Sequence, residues 1–213
     1  MPEAPASPLV LIVDDEPTFR NAVSSLLRSV GYRVEQFATT RELTESGKAG
    51  EASCLVLDVR LPIVSGLDFQ TRLAEAGAHP PIIFVTGHGD IPMTVRAMKA
   101  GAVDFLAKPF RDQELLDAVA AAVARDGERR MAEESRGRVE TRFMSLSPRE
   151  REIMILATAG LMNKQIAGEL GLSEITVKIH RGRLMRKMDA RSFADLVKMA
   201  ETLELSRATN QGK

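Results

Sequence analysis

Five short runs of residues divide the first 120 positions of the chain. Three of them are unbroken apolar stretches, which are typical of strands buried on both faces of a parallel sheet. One run alternates between apolar and polar residues, and a short final run closes the series. The runs are LVLIV (9–13), YRVEQF (32–37), CLVL (54–57), PIIFV (81–85) and VDFLA (103–107).

Segments with helical spacing lie between these runs. Phe19, Val23 and Leu27 recur at the intervals of one helix face, and Gly31 ends that pattern. Similar patterns predict helices over 40–48, 67–76 and 92–100, and a last one that Asp112 caps and that runs to about 124. Regular alternation of strands and helices predicts an α/β fold, in which helices cover both faces of a doubly wound, five-stranded parallel sheet.

Polar side chains stand at the carboxyl ends of four predicted strands. Asp14 and Asp15 follow the first strand, Asp58 the third, Thr86 the fourth and Lys108 the fifth. Because the carboxyl ends of parallel strands meet at one edge of a sheet, we expect these side chains around one pocket. Singly, the carboxylates could cap a helix or serve a turn, and the hydroxyl and ammonium groups could be solvated. Their convergence favours a functional site.

The chemistry of this set points to phosphoryl transfer. Three carboxylates within a few ångströms repel one another, which raises the pKa of at least one of them unless a cation intervenes. Mg²⁺ is the expected cation, because it prefers oxygen ligands and binds through a few carboxylates with phosphate and water. Asp58, alone on the central strand, is the expected nucleophile. Lys108 and Thr86 can each contact a phosphoryl oxygen.

Charge and composition separate two parts of the chain. Residues 1–124 hold 11 Lys and Arg against 16 Asp and Glu, whereas residues 125–213 hold 18 against 13. This asymmetry suggests two modules with different partners, of which the basic one could meet a polyanion. The lone cysteine, Cys54, excludes an internal disulfide and is expected to be buried, and His88 receives no role. Without an apolar run of about 20 residues or a signal-peptide pattern, we expect a cytoplasmic protein with no membrane contact.

The second part begins with a polar segment and continues with a helix-turn-helix pattern. Residues 125–145 carry six basic and five acidic residues, and could extend the preceding helix or form a flexible linker. Ser147 and Glu150 then form the capping box of a new helix. Further helices are expected from an Asn163 cap to 170, from a Ser173 cap to about 188, and over 192–203, with Gly171 in the turn between the first two.

The helix that follows Ser173 is basic. Between Glu174 and Arg191, six Lys and Arg stand against two acidic residues. Val177, Leu184 and Met188 fall on an inner face. The opposite face suits a DNA major groove, where some side chains reach base edges and others bind phosphates. A solvated basic helix in a small bundle is the alternative, and the helix-turn-helix spacing favours DNA binding.

These motifs together resemble two-component response regulators of the FixJ/StyR type, in which a receiver domain precedes a LuxR/NarL-type helix-turn-helix. The receiver resemblance rests on DVRLPIVSG (58–66) and TGHGDIPMTVRAMKAGAVDFLAKPF (86–110), with Leu61 where methionine is common. It implies the flavodoxin-like strand order 2-1-3-4-5 and Asp58 as phospho-acceptor. It also implies a Mg²⁺ site, a switch pair and a cis-prone peptide bond. The implied Mg²⁺ ligands are Asp14, Asp15, Asp58 and the backbone carbonyl of Arg60. The implied switch pair is Thr86 and Phe105, and the implied cis-prone bond is Lys108–Pro109.

The segment GLMNKQIAGELGLSEITVKIHRGRLMRKM (160–188) resembles the LuxR/NarL-type DNA-binding domain. Gly182 departs from the larger residue often found at its position, and a glycine inside a helix costs roughly 1 kcal/mol relative to alanine. The resemblance implies two groups of DNA contacts, with Lys178, Ile179 and Gly182 toward bases and Lys164, Thr176 and Arg181 near phosphates.

We therefore predict a transcription regulator switched by phosphorylation, and not an enzyme. The expected domains are a receiver over 9–124, a linker over 125–145 and a four-helix DNA-binding domain over 146–205, with its helix-turn-helix at 163–182. A sensor histidine kinase is expected to phosphorylate Asp58. Homodimerisation through the fourth helix and fifth strand, binding to double-stranded DNA and contact with RNA polymerase are expected to follow.

Two other functions compete with this prediction. A haloacid-dehalogenase-like phosphatase also uses an aspartate nucleophile with Mg²⁺, but its nucleophile follows the first strand in a D-x-D pattern, and here that place reads Asp14-Asp15-Glu16. Alternatively, the receiver could be a dimerisation module without chemistry. The complete acidic set argues against that alternative.

Overall fold

A computed structural model describes residues 7–87 and 91–205 of the chain, so His88 lies outside the description. The chain divides into two compact units, Met1–Arg129 and Arg130–Lys213. None of the helices in the described ranges combines the length and the apolar character that crossing a lipid bilayer requires.

The first unit contains a five-stranded parallel sheet with the strand order β2-β1-β3-β4-β5, as predicted. Every residue of the first, third and fourth strands is buried, which explains why they are apolar up to Asp58 and Thr86, the last residues of the third and fourth. Cys54 opens the central strand, and burial, with the nearby Asp126 charge, raises the pKa of its thiol far above the ordinary value. The strands are β1 (Leu9–Val13), β2 (Arg33–Phe37), β3 (Cys54–Asp58), β4 (Ile82–Thr86) and β5 (Asp104–Ala107).

Helices cover both faces of this sheet. Leu43, Leu67 and Ala97 come from three helices that pack on one face, whereas Val23 and Leu115 come from the two helices on the other. This division is the doubly wound arrangement expected from right-handed crossovers. The helices are α1 (Pro17–Ser29), α2 (Thr40–Ser46), α3 (Gly66–Glu75), α4 (Ile91–Lys99) and α5 (Asp112–Met144), with a short 3₁₀ turn at Lys48–Glu51.

Helix α5 is much longer than the expected stretch to about 124. It continues to Met144, which resolves the open alternative for residues 125–145 in favour of a helix, and it begins at Asp112, which is therefore not its cap. Ion pairs one turn apart support the polar stretch, such as Arg136 with Glu140 at 2.9 Å, at roughly 0.2–0.5 kcal/mol each. Further along, Val139 packs in the core of the second unit.

The second unit completes the predicted set of four further helices. Ser147 and Glu150 form the expected capping box, and Ser173 accepts a hydrogen bond from the Thr176 N–H at 3.1 Å. The expected Asn163 cap is wrong, because Asn163 is the first residue inside its helix and its side chain is used elsewhere. The helices are α6 (Pro148–Thr158), α7 (Asn163–Leu170), α8 (Glu174–Met188) and α9 (Phe193–Thr202).

Gly66 allows α3 to begin directly against the end of the central strand. Its N–H donates to the Val59 carbonyl at 2.9 Å. A Cβ atom at this position would clash with the carbonyl oxygen of Asp58 and would lie 3.1 Å from the Val59 Cα. Both neighbours are backbone atoms, so a side chain here would displace the residues that carry Asp58.

We predict that Gly66→Ala lowers the free energy of unfolding of the first unit by about 1–3 kcal/mol, the usual cost of overpacking. Tyr32 is the only tyrosine in a chain without tryptophan, so tyrosine fluorescence during urea unfolding follows this unit. Gly127→Ala in α5 is the matched control, because its Cβ would meet nothing within 4 Å. Equal effects of the two substitutions would contradict the prediction.

Candidate functional site

The sheet brings three predicted carboxylates together at its carboxyl edge. Asp14 and Asp15 follow β1, and Asp58 is the last residue of β3. One carboxylate oxygen from each of the three lies within 4.8 Å of the others. Asp14 is fully buried and Asp58 is 7% exposed, whereas Asp15 is open to solvent. The edge therefore combines two shielded carboxylates with one that an incoming group can reach.

Lys108 joins the two buried carboxylates. Its Nζ lies 2.6 Å from Asp14 Oδ2 and 3.0 Å from Asp58 Oδ2. The same ammonium group stands 3.7 Å from the centroid of the Phe19 ring, which adds a cation–π contact. Burial alone would lower the pKa of Lys108, but its hydrogen bonds to Asp14 and Asp58 outweigh burial and raise that pKa. Lys108 is thus held in its charged form.

Asp14 shows the electrostatic strain of the cluster. Burial raises the pKa of its carboxyl group, and the neighbouring Asp58 charge adds to the rise. Lys108 and the Glu16 N–H, which donates to Asp14 Oδ1 at 2.9 Å, act in the opposite direction without cancelling it. No side chain caps the start of α1, so the capping role considered for Asp14 and Asp15 is not realised.

A backbone donor fixes the remaining oxygen of Asp58. The Arg60 N–H donates to Asp58 Oδ1 at 2.8 Å. Asp58 pairs with Val85 in the sheet register, so Thr86 stands one position beyond that pair on the neighbouring strand. Thr86 is fully buried. The predicted acceptor and the predicted switch hydroxyl therefore belong to adjacent strand ends.

Phe105 lies on the next strand along the sheet edge. It pairs with Phe84, and the two rings are 6.5 Å apart between centroids. Its side chain is only half-buried. The Lys108 N–H donates to the Thr86 carbonyl at 2.7 Å, and the Lys108–Pro109 peptide bond is cis, as the resemblance implied. Backbone pairing and hydrogen bonding thus bring Phe105, Lys108 and Thr86, which include the predicted switch pair, to neighbouring positions at the sheet edge.

The donor set fits a hard divalent cation. Three carboxylates supply oxygen ligands at one point, and such ligands suit Mg²⁺ better than softer metals. Receiver domains bind Mg²⁺ at an acidic site of this kind.

The loop after Asp58 contains a residue that sequence reasoning missed. Ile63 has a φ of 77° and a fully exposed side chain. A β-branched residue in the left-handed region costs roughly 1–2 kcal/mol. The pattern of Pro62 and Gly66 indicated a turn, but no local signal indicated which residue would carry the strain.

The helix-turn-helix has the predicted elements and exposes most of its predicted DNA contacts. Gly171 makes the turn with a φ of 63°. The buried residues Val177, Leu184 and Met188 form the inner face of α8. Of the predicted contacts, Lys164, Lys178, Ile179 and Gly182 are exposed, whereas Thr176 and Arg181 are partly buried.

Arg181 has partners within the protein. Its Nη1 donates to Asn163 Oδ1 at 2.6 Å, and its guanidinium lies 5.1 Å from the centroid of the Phe193 ring. These contacts connect α8 with α7 and α9. Arg181 therefore holds α8 against α7 and α9, and its sequence position alone did not indicate this.

An ion pair between a buried glutamate and an exposed lysine also holds α8. Lys187 Nζ lies 2.6 Å from Glu150 Oε2, and the Glu150 side chain is 4% exposed. Burial raises the pKa of Glu150, but hydrogen bonds from Lys187 and from the Ser147 N–H outweigh it, and the net pKa is lowered. Glu150, which completes the capping box of α6, thus also binds the carboxyl end of α8 through Lys187.

Two families match the chain. Residues 10–120 match the response regulator receiver domain, and residues 144–200 match the luxR family of bacterial regulatory proteins. Together the two matches include the acidic cluster, Lys108 and the complete helix-turn-helix.

Relatives of known name match nearly the whole chain. Nodulation protein W of Bradyrhizobium diazoefficiens is 58% identical, over 96% of this chain and 90% of that protein. The response regulator protein TodT of Pseudomonas putida is 45% identical, over 92% of this chain and 86% of its own length. Among solved structures, the response regulator StyR superposes with a TM-score of 0.81 at 48% identity, covering 92% of this chain and 99% of StyR.

The Glu150–Lys187 ion pair is expected to make the stability of the second unit depend on pH. Because the folded-state pKa of Glu150 is lowered, its contribution to stability is present above the ordinary glutamate pKa and is lost as the pH falls through the lowered value. We expect Lys187→Met to lower the free energy of unfolding at pH 7 by about 1–2 kcal/mol and to flatten this acid dependence. Urea unfolding followed by far-ultraviolet circular dichroism at several pH values measures both effects.

Lys198→Met is the control for this substitution. Lys198 is an exposed lysine on α9, so its loss is expected to leave both the stability and its pH dependence within experimental error. A Lys187→Met protein as stable as this control would contradict the role given to the pair.

Proposed function

Because the chain belongs to the two-component response regulators that join a receiver domain to a LuxR-type DNA-binding domain, we propose that phosphorylation of Asp58 by a sensor histidine kinase switches its binding to double-stranded DNA. The receiver is assigned to 9–124, the linker to 125–145 and the DNA-binding domain to 146–205, with the helix-turn-helix at 163–182. The observation that carries the proposal is the contact of Lys108 with both Asp14 and Asp58.

The phosphoryl group passes from a kinase histidine to Asp58. A carboxylate oxygen of Asp58 attacks the phosphorus, and the new P–O bond forms as the P–N bond to the imidazole breaks. The imidazole nitrogen keeps the electron pair of the broken bond. Lys108 and the Thr86 hydroxyl then stabilise the charge on the phosphoryl oxygens, since preorganised donors are most effective in a shielded site.

Asp14, Asp15 and Asp58, with the backbone carbonyl of Arg60, would hold Mg²⁺. When bound, the ion offsets the negative charge that builds up on the transferring phosphoryl group. The carboxylates supply this site at the same edge as the nucleophile. Because Asp14 is buried, its charge is costly beside that of Asp58. A bound cation would relieve the repulsion between these two shielded carboxylates.

Phosphorylation is proposed to act through Thr86 and Phe105. A phosphoryl group adds about −1.5 to −2 charges, which draws the Thr86 hydroxyl toward it and lets the half-buried Phe105 ring turn inward. The change favours an active state of a pre-existing equilibrium. We place the homodimer interface on the face formed by α4 and β5. The large apolar side chains of Ile91, Val95 and Met98 on α4 are 82%, 43% and 44% exposed and could be covered there.

The dimer would place two copies of α8 in successive major grooves. Lys178, Ile179 and Gly182 then face bases, while Lys164, Thr176 and Arg181 lie near phosphates. RNA polymerase is the proposed partner once the protein is bound at a promoter. A regulator of this kind acts in the cytoplasm, where its DNA lies.

The first test is the intact mass of the protein after incubation with acetyl phosphate and Mg²⁺. We expect one added phosphate, which Asp58→Asn and omission of the metal both abolish. The Asp68→Asn protein is the matched control, because Asp68 is an exposed aspartate in the first turn of α3. A protein that gains no phosphate from any donor would reduce the receiver to a dimerisation module.

The second test joins phosphorylation to DNA. We expect phosphodonor to tighten binding of the wild-type protein to its DNA site by at least tenfold, or about 1.4 kcal/mol, and to promote dimers. Fluorescence anisotropy gives the affinity, and sedimentation gives the oligomeric state. An Asp58→Ala protein that responds to the phosphodonor as the wild type does would rule out the switch.

A further inference from the structure

The outward face of α8 has an apolar centre. On a helical wheel, Ile175, Ile179, Gly182 and Arg186 lie opposite the buried inner face of the helix. Lys178 and Arg183 flank this face, and all six residues are exposed. Along the face of α8 that points farthest from the core, the order is therefore two isoleucines, a glycine and then the charged Arg186.

The two isoleucines lie outside the hydrophobic core of the second unit. Ile175 is 73% exposed and Ile179 is 50% exposed, although both are large aliphatic residues. They are four positions apart, so their side chains are neighbours on one face. An exposed pair of this kind on a basic helix suits a surface that is covered when the helix is bound.

Gly182 adds space next to this pair. A Cβ atom at Gly182 would meet nothing within 4 Å, so packing within the protein does not require a glycine there. The absent side chain lets the backbone of α8 come close to whatever the two isoleucines contact. The helix accepts a residue of poor helix propensity at the position where close approach is useful.

We propose that Ile175 and Ile179 read thymine 5-methyl groups in the major groove; this inference rests on the DNA binding proposed above and specifies how bases are read. The thymine methyl is the apolar feature of the major groove, and aliphatic side chains distinguish it by contact. Lys178, on one flank, stays directed toward bases as proposed above, and Arg183, on the other flank, is directed to a phosphate. Ile175 thereby joins the residues that determine the sequence preference.

The spacing of the pair limits the DNA sequence. Four residues of α-helix rise about 6 Å, and successive base pairs are about 3.4 Å apart along the duplex. The two methyl groups are therefore expected on thymines within about two base-pair steps of each other in each half-site. A site read by arginine and guanine alone would lack this feature.

The experiment uses full-length protein, phosphorylated with acetyl phosphate, to select duplexes from a random-sequence library. Each thymine of the selected duplex is then replaced by deoxyuridine, which removes only the 5-methyl group. For the wild-type protein, we expect two closely spaced replacements to weaken binding about three- to tenfold each, less than the loss of a bidentate hydrogen-bonded base contact. The Ile175→Ala and Ile179→Ala proteins are each expected to lose sensitivity to one replacement.

Met144→Ala is the control variant, since Met144 is an equally exposed apolar residue of the same unit, at the end of α5. It should keep the full sensitivity to deoxyuridine. A selected site that tolerates every replacement, or an Ile175→Ala protein that binds and discriminates like the wild type, would overturn the inference while leaving DNA binding intact. A library from which no sequence is enriched would instead refute the proposed function.

Discussion

The ammonium group of Lys108 lies between two carboxylates that are almost completely removed from water. Burying one such charge is costly, and burying two of the same sign is worse unless a cation lies between them. Lys108 supplies that cation from the position directly after β5, 94 residues from Asp14 and 50 from Asp58 along the chain. The charges can therefore balance only when the outer and central strands of the sheet are both in place. The site depends on completion of the fold, and a partly assembled sheet would leave its carboxylates unpaired.

The second unit uses a related arrangement for a different end. There, a single buried carboxylate, Glu150, meets Lys187 from another helix, and the pKa of Glu150 is lowered. At the sheet edge, the carboxylates outnumber the lysine and the pKa of Asp14 is raised. A balanced pair holds two helices together. An unbalanced cluster keeps a preference for additional positive charge, which is what an ion or a change of protonation can supply.

The three inner strands of the sheet were predictable because a parallel strand that is buried on both faces is apolar along nearly its whole length. Residues at the strand ends could be placed together without coordinates for the same reason, since topology alone brings those ends to one edge. The extent of α5 was not predictable, because a polar, charge-mixed segment suits a solvated helix and a linker equally well. The partners of Arg181 and the backbone of Ile63 also escaped prediction. Both depend on which residues become neighbours in the folded chain, and residue type alone does not indicate those neighbours.

Cys54 occupies the first position of the central strand and is the only thiol in the chain. Since only the thiolate reacts with alkylating reagents, a fully buried thiol whose pKa is raised by burial is protected twice, by exclusion of the reagent and by its proton. Alkylation requires the sheet to open at its centre. Cys54 therefore reports the opening of that strand. The rate of its alkylation, with and without a bound ion or phosphoryl group, would show how strongly each stabilises the strand that bears Asp58.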